Sequence, residues 1–132
     1  MEPTEKASTI KVLDFTEYPG PRYKEQGDHS GELFYEKVLK PEFDLILKKS
    51  QDSGSLHTLI VNLDDTAGYA SSFLDESFGN LAYDYSETVV KKHLKLITKQ
   101  EPDWNDMIFD ETLPEWDQKK KKGIPRKPQL LN

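Results

Sequence analysis

The sequence predicts a small α/β domain with a parallel or mixed sheet and helices packed on it. Three observations predict it. Strand-like and helix-like segments alternate along the chain, as strands joined by helical crossovers do. Four aliphatics fall in the five positions Leu59 to Leu63, which suits a buried central strand. A length of 132 residues with fourteen aromatics supports one folded core and not comfortably two.

The elements follow in order. Ile10 to Phe15 alternates imperfectly and reads as a first strand, which Pro19-Gly20-Pro21 ends. Ser30 is the expected N-cap of a first helix, with Glu32 in its first turn, where a carboxylate favours the dipole. Leu33, Phe34, Val38, Phe43, Leu45, Ile46 and Leu47 carry that helix onward, and Pro41 is expected to kink or divide it. Leu56 to Leu63 is the best strand in the chain, and Asp64 to Tyr69 is the turn after it. A second helix is expected from Ser71 or Ser72, with Ser72 and Asp75 spaced like a capping box. Leu74, Phe78, Leu81 and Ala82 give it a core-facing stripe. Ser86 caps a short helical turn through Val90, His93 to Lys99 reads as a third strand, and Trp104 to Leu113 suggests a last helix. Thr112 to Glu115 has the form of another capping box. The expected organisation is a flexible N-terminus over 1–9, one domain over 10–118 and a basic, disordered tail over 119–132.

Charge narrows the function. The net charge is −6, yet residues 1–118 carry 12 basic and 24 acidic side chains while Lys119 to Lys122, Arg126 and Lys127 all lie beyond them. An acidic body repels phosphates, so nucleic-acid binding by the folded part is not expected. The tail is either a solvated end or a contact for phosphates or an acidic partner. The absence of cysteine removes disulfides and thiolate metal sites. Neither a signal-peptide pattern nor an apolar run of about 18 residues occurs, which points to a cytoplasmic protein without a membrane span. His29, His57 and His93 lack metal-ligand spacing, and no phosphate-loop or nucleophile-elbow pattern is present. No cofactor and no catalytic residue are therefore expected.

In open parallel sheets ligands gather beyond the carboxyl ends of the strands, which draws attention to Asp64 through Ser72. Free amides at a helix start welcome an anion, and Ser71 or Ser72 there is either a cap or a phosphoryl acceptor. Asp64 and Asp65 read as a solvated acidic turn or as a magnesium site. Arg22, with Gly27, Ser30 and Gly31, forms a second possible anion site. If the strands are parallel, both loops share one sheet edge.

The block Gly68-Tyr69-Ala70-Ser71-Ser72-Phe73-Leu74-Asp75-Glu76-Ser77-Phe78-Gly79-Asn80-Leu81 resembles the signature of the STAS-like family DUF4325. So do Pro19-Gly20-Pro21-Arg22, Gly27, Ser30-Gly31-Glu32 and Phe34, and the resemblance covers roughly residues 10 to 100. That family is similar to the STAS domains of anti-sigma factor antagonists and sulfate transporter tails. The resemblance implies a STAS-like fold and a non-enzymatic regulatory module whose protein partner is an ATPase of the histidine-kinase-like type. It also implies that Ser71 matches the serine phosphorylated in the antagonists and Ser72 its neighbour. Ala70 stands where the antagonists carry Asp, and Phe73 where they carry Gly. The expected docking face comprises Arg22, Gly27, Ser30, Gly31, Asp64, Asp65, Gly68, Tyr69, Ser71, Ser72, Phe73 and Asp75. The alternative is a nucleotide- or phosphate-binding domain, or a small enzyme, using the same loops.

Overall fold

The structure, a computed structural model, describes residues 6–128. Three strands form one parallel sheet in the order β1 (Ala7–Lys11), β2 (Thr58–Asn62), β3 (Leu94–Ile97). The register aligns Ser8 with Leu59 and Leu94, and Ile10 with Val61 and Leu96. Those rows face the core, where Leu59 and Val61 are fully buried. The alternate residues Thr58, Ile60 and Asn62 are only half-buried. Both crossovers step the same way across the sheet, and right-handed crossovers then place their helices on the same face.

The first strand lies earlier than the sequence suggests. Val12–Phe15 forms a single helical turn, α1, and the pairing residues are Ala7 to Lys11. The expected flexible segment 1–9 is thus a strand from Ala7 onward, while residues 1–5 lie outside the described residues.

Pro41 does not break its helix. α2 (Gly31–Phe34) runs through a π-helical segment at Tyr35–Leu39 into α3 (Lys40–Ser53), where the Lys40 N–H donates to the Tyr35 carbonyl five residues back. A proline ring clashes with the carbonyl four residues before it and offers no N–H. Widening the preceding turn carries that carbonyl away from the ring. The same solution recurs near the C-terminus. α6 (Asp103–Met107) passes through a π segment at Ile108–Thr112 into α7 (Leu113–Lys121), with Pro114 just inside. Thr112 is consequently mid-helix in αR and makes no cap, contrary to the capping box expected there. In both cases the wide turn sets a pair of fully buried core residues five apart, Phe34 with Leu39 and Ile108 with Leu113.

α4 (Ser71–Tyr85) is the centre of the molecule. Its expected stripe Leu74, Phe78, Leu81 and Ala82 is fully buried. α5 (Glu87–His93) follows at once, capped as expected by the Ser86 hydroxyl, which accepts from the Val89 N–H at 3.3 Å. His93 ends α5 instead of opening β3, and its ring bonds the His57 carbonyl at 2.9 Å. Two glycines allow close packing. A Cβ on Gly31 would stand 2.3 Å from the Phe73 carbonyl oxygen, and one on Gly79 would stand 2.2 Å from the Trp116 ring.

The boundary expected at 118/119 falls inside α7. Beyond it the chain turns at Gly123 (φ 72°) and lies back on the body through residue 128. The basic segment is ordered over its described part because its charges find acids on α4, on α2 and in the loop before α2.

Candidate functional site

Because the strands are parallel, the segments after β1, β2 and β3 gather at one edge, which was expected of the first two if the sheet were parallel. The Ala67 N–H donates to the Glu17 carbonyl at 2.7 Å, joining the first two. The Asp65 N–H donates to Gln100 Oε1 at 2.7 Å, joining the second to the third.

The loop 19–30 folds back over the start of α2. The Gly31 and Glu32 amides donate to the Pro21 and Arg22 carbonyls at 2.9 and 3.0 Å, and the Leu33 amide donates to Ser30 Oγ at 3.1 Å. Ser30 is the expected cap and is fully buried. These bonds use the amides that an anion would need, so the second anion site expected at Ser30 and Gly31 is closed by its own loop. Gly27 ends the short 3-10 turn Lys24–Gln26 inside that loop. Gly31 is buried against Phe73 and serves packing.

The start of α4 is different. Its N-cap is Ala70, not a serine, and no side chain caps it. The capping box expected from Ser72 and Asp75 is absent because the Asp75 carboxylate turns elsewhere, accepting from Arg22 Nη1 at 2.8 Å and Trp116 Nε1 at 3.2 Å. Ser71 is exposed, Ser72 is half-buried, and Phe73 packs inward against Phe34 with ring centroids 5.9 Å apart. Among the described residues neither the Ser71 nor the Ser72 hydroxyl or amide has a hydrogen-bond partner. Gly68, at φ 127°, takes a backbone conformation that side-chain-bearing residues rarely adopt and sets the chain's approach to Ser71.

Asp64 and Asp65 organise the neighbouring turn. Asp64 accepts from the Lys99 and Gln100 amides at 3.2 and 3.0 Å, and Asp65 sits at φ 73°, a conformation aspartate tolerates. Tyr69 donates to the Leu63 carbonyl at 2.7 Å, and burial pushes its phenol up to about 12. Between them lies a cavity of about 90 Å³ lined by Asp64, Thr66, Gly68, Tyr69 and Trp104. Nucleotide-sized sites run to about 300 Å³ and more, so this one takes only a few waters or a very small group.

Arg22 does not join Asp64 and Asp65. It bridges Asp75 and, at 3.1 Å, Glu76. Glu76 was not singled out from the sequence, and neither was Asn80. Both are nearly fully buried, and Asn80 Nδ2 donates to Glu76 Oε2 at 2.8 Å. Burial raises the Glu76 pKa against the opposing pull of Asn80 and Arg22. For Arg22, burial works against its charge, and its two carboxylate partners outweigh it and raise the pKa. A glutamate and an asparagine four apart, on the same helix face as the apolar positions of α4, were the available signal. Together these residues lock the loop before α2 onto α4, and so fix the Ser71 turn beside it.

Such a domain is an α/β module in which the start of α4, without a side-chain cap, lies at the carboxyl edge of a three-stranded parallel sheet. Residues 30–104 match the family described as STAS-like domain of unknown function (DUF4325), and the chain belongs to that family. The match begins at the Ser30 cap and includes the whole of α4. No curated protein and no solved structure matches the chain. Among the described residues no helix is long and apolar enough to cross a membrane.

Proposed function

We propose that this chain is a non-enzymatic regulatory module that docks a protein partner in the cytoplasm through the turn between β2 and α4. The observation that carries the reading is Ser71, exposed at the first position of a fifteen-residue helix and not spent on capping it. The partner is an ATPase of the histidine-kinase-like type, and Ser71 is the switch. In the modified state the Ser71 hydroxyl oxygen takes the γ-phosphoryl group of ATP, its proton is lost, and ADP leaves. The product carries a charge of about −2 at a helix start, four residues before Asp75. It strengthens contact with a basic surface and repels an acidic one. Membership of a STAS-like family and the rigid setting of the turn support this. Ser72, half-buried and next in the helix, is the neighbouring acceptor.

Mixing the protein with such an ATPase from its own genome and ATP tests the reading by intact mass and size exclusion. A complex, and a mass gain of one phosphoryl group that Ser71→Ala removes, is the expected result. An unchanged mass with no complex would sink it.

A further inference from the structure

The basic C-terminal segment occupies a groove of opposite charge far from Ser71. Asp84, at the groove's centre, is thirteen residues along α4 from Ser71, about 20 Å at 1.5 Å per residue. Arg126 forms a two-pronged ion pair with Asp84, one prong at 3.1 Å, and also donates to Asn80 Oδ1 at 3.2 Å. Tyr35 donates to the same Asp84 from the other wall. Lys127 reaches Glu25 at 2.7 Å and Glu32 at 3.2 Å, with its ammonium 4.8 Å from the Tyr23 ring centre. The Tyr83 hydroxyl donates to the Ile124 carbonyl at 2.9 Å, and the Tyr83 ring lies 4.6 Å beneath the Arg126 guanidinium.

The segment fills only part of this space. A cavity of about 350 Å³ remains beside Arg126, lined by Glu32, Tyr35, Glu36, Lys40, Asn80 and Asp84. The contacts are the kind a peptide ligand makes: a paired guanidinium, an aromatic shelf, a backbone carbonyl hydrogen-bonded, and a lysine among carboxylates. They are made by a segment that leaves α7 at Gly123.

We infer that residues 123–128 are a self-ligand, and that the groove between α2 and α4 is a second docking site for a partner's extended segment bearing adjacent arginine and lysine. The chain's own strap competes for it, so the site opens only to a segment that displaces the strap. This surface goes beyond the Ser71 reading and does not depend on it.

The test uses the full chain and a synthetic peptide of its residues Lys119 to Asn132 added in trans. The strap sits at an effective concentration of order millimolar, so opening it should tighten peptide binding about tenfold or more. Calorimetry should therefore show weak binding to the parent chain and at least tenfold tighter binding to the Arg126→Ala/Lys127→Ala variant. Adding Asp84→Asn to that variant should abolish the gain, and a peptide with alanine at positions 126 and 127 should bind neither. Circular dichroism of each variant confirms folding. Equal binding to parent and open variant, binding insensitive to Asp84→Asn, or no binding to the open variant would each overturn the inference. Loss of the Ser71 complex would leave all these results unchanged.

Discussion

Replacing Gly79 by alanine sets two effects of known sign against each other. In a helix interior alanine is favoured over glycine by about 1 kcal/mol. Here the added Cβ would stand 2.2 Å from Trp116 Cε2 and 2.3 Å from its Nε1, where ordinary contact begins at 3.4 Å. The ring must retreat by more than an ångström. It cannot do so freely, because Trp116 is 5% exposed and its Nε1 donates to Asp75 at 3.2 Å. Overpacking of this kind costs about 1–3 kcal/mol, and the strained hydrogen bond adds about 1 kcal/mol. The clash outweighs the propensity gain, for a net destabilisation of about 2 kcal/mol. With a urea dependence of about 1–3 kcal/mol/M, the unfolding midpoint should fall by about 1 M. Trp116→Leu should cost less in the Gly79→Ala background than in the parent, with a coupling of about 1 kcal/mol or more in the double-mutant cycle. A Gly79→Ala protein as stable as the parent would refute the close approach of α4 and α7.

Three further outcomes are expected. Ser30→Ala should cost about 1–2 kcal/mol in denaturant unfolding, since it leaves the Leu33 amide without its acceptor at a fully buried cap. Arg22→Ala should destabilise by about 2 kcal/mol near neutral pH by leaving the Glu76 carboxylate buried without its cation. The Glu76 pKa is already raised in the folded state, so its protonated form is the better tolerated one. The Arg22→Ala defect should therefore be smallest below the ordinary glutamate value of 4.5 and grow as pH rises, and a pH-independent defect would contradict this. Asp84 has the opposite sign. Burial works to raise its pKa, but hydrogen bonds from Arg126 and Tyr35 outweigh it and hold the pKa below the ordinary 3.8. The strap contact should thus be present above the ordinary aspartate value of 3.8 and be lost only as pH falls below it, read from the amide signals of Gly123, Ile124, Arg126 and Lys127 by NMR.

Much of the fold was legible in the sequence where local pattern and tertiary demand agree. The aliphatic run at 59–63 is the central strand, the 74/78/81/82 stripe is buried, and Ser30 and Ser86 cap the helices they precede. The parallel arrangement put the three loops at one edge. Misreadings arose where distant partners decide. Asp75 has capping spacing but is taken by Arg22, 53 residues away in sequence. Lys127 belongs to a charge run that looks solvated, yet its acids Glu25 and Glu32 lie 102 and 95 positions earlier. β1 lies earlier than its sequence pattern indicates because Val12 to Phe15 carries the stronger apolar pattern, while Ser8 and Thr9 carry the pairing. At the candidate site, spacing indicated a helix start at Ser71 or Ser72 but favoured a serine cap, whereas the helix begins at Ser71 behind Ala70 with no side-chain cap. Spacing could not show that the twin site at Ser30 is sealed by backbone carbonyls from its own loop.

The widened turns before Pro41 and Pro114 have a genetic consequence. Each is, in effect, one surplus amino acid threaded into an otherwise regular coil, so each marks a seam where a codon can be lost without turning the inward-facing side chains out. Excising Lys37 together with Pro41→Ala should restore an uninterrupted spiral with Phe34 and the former Leu39 four apart. The same excision one turn further along would rotate Phe43 and Ile46 away from the interior.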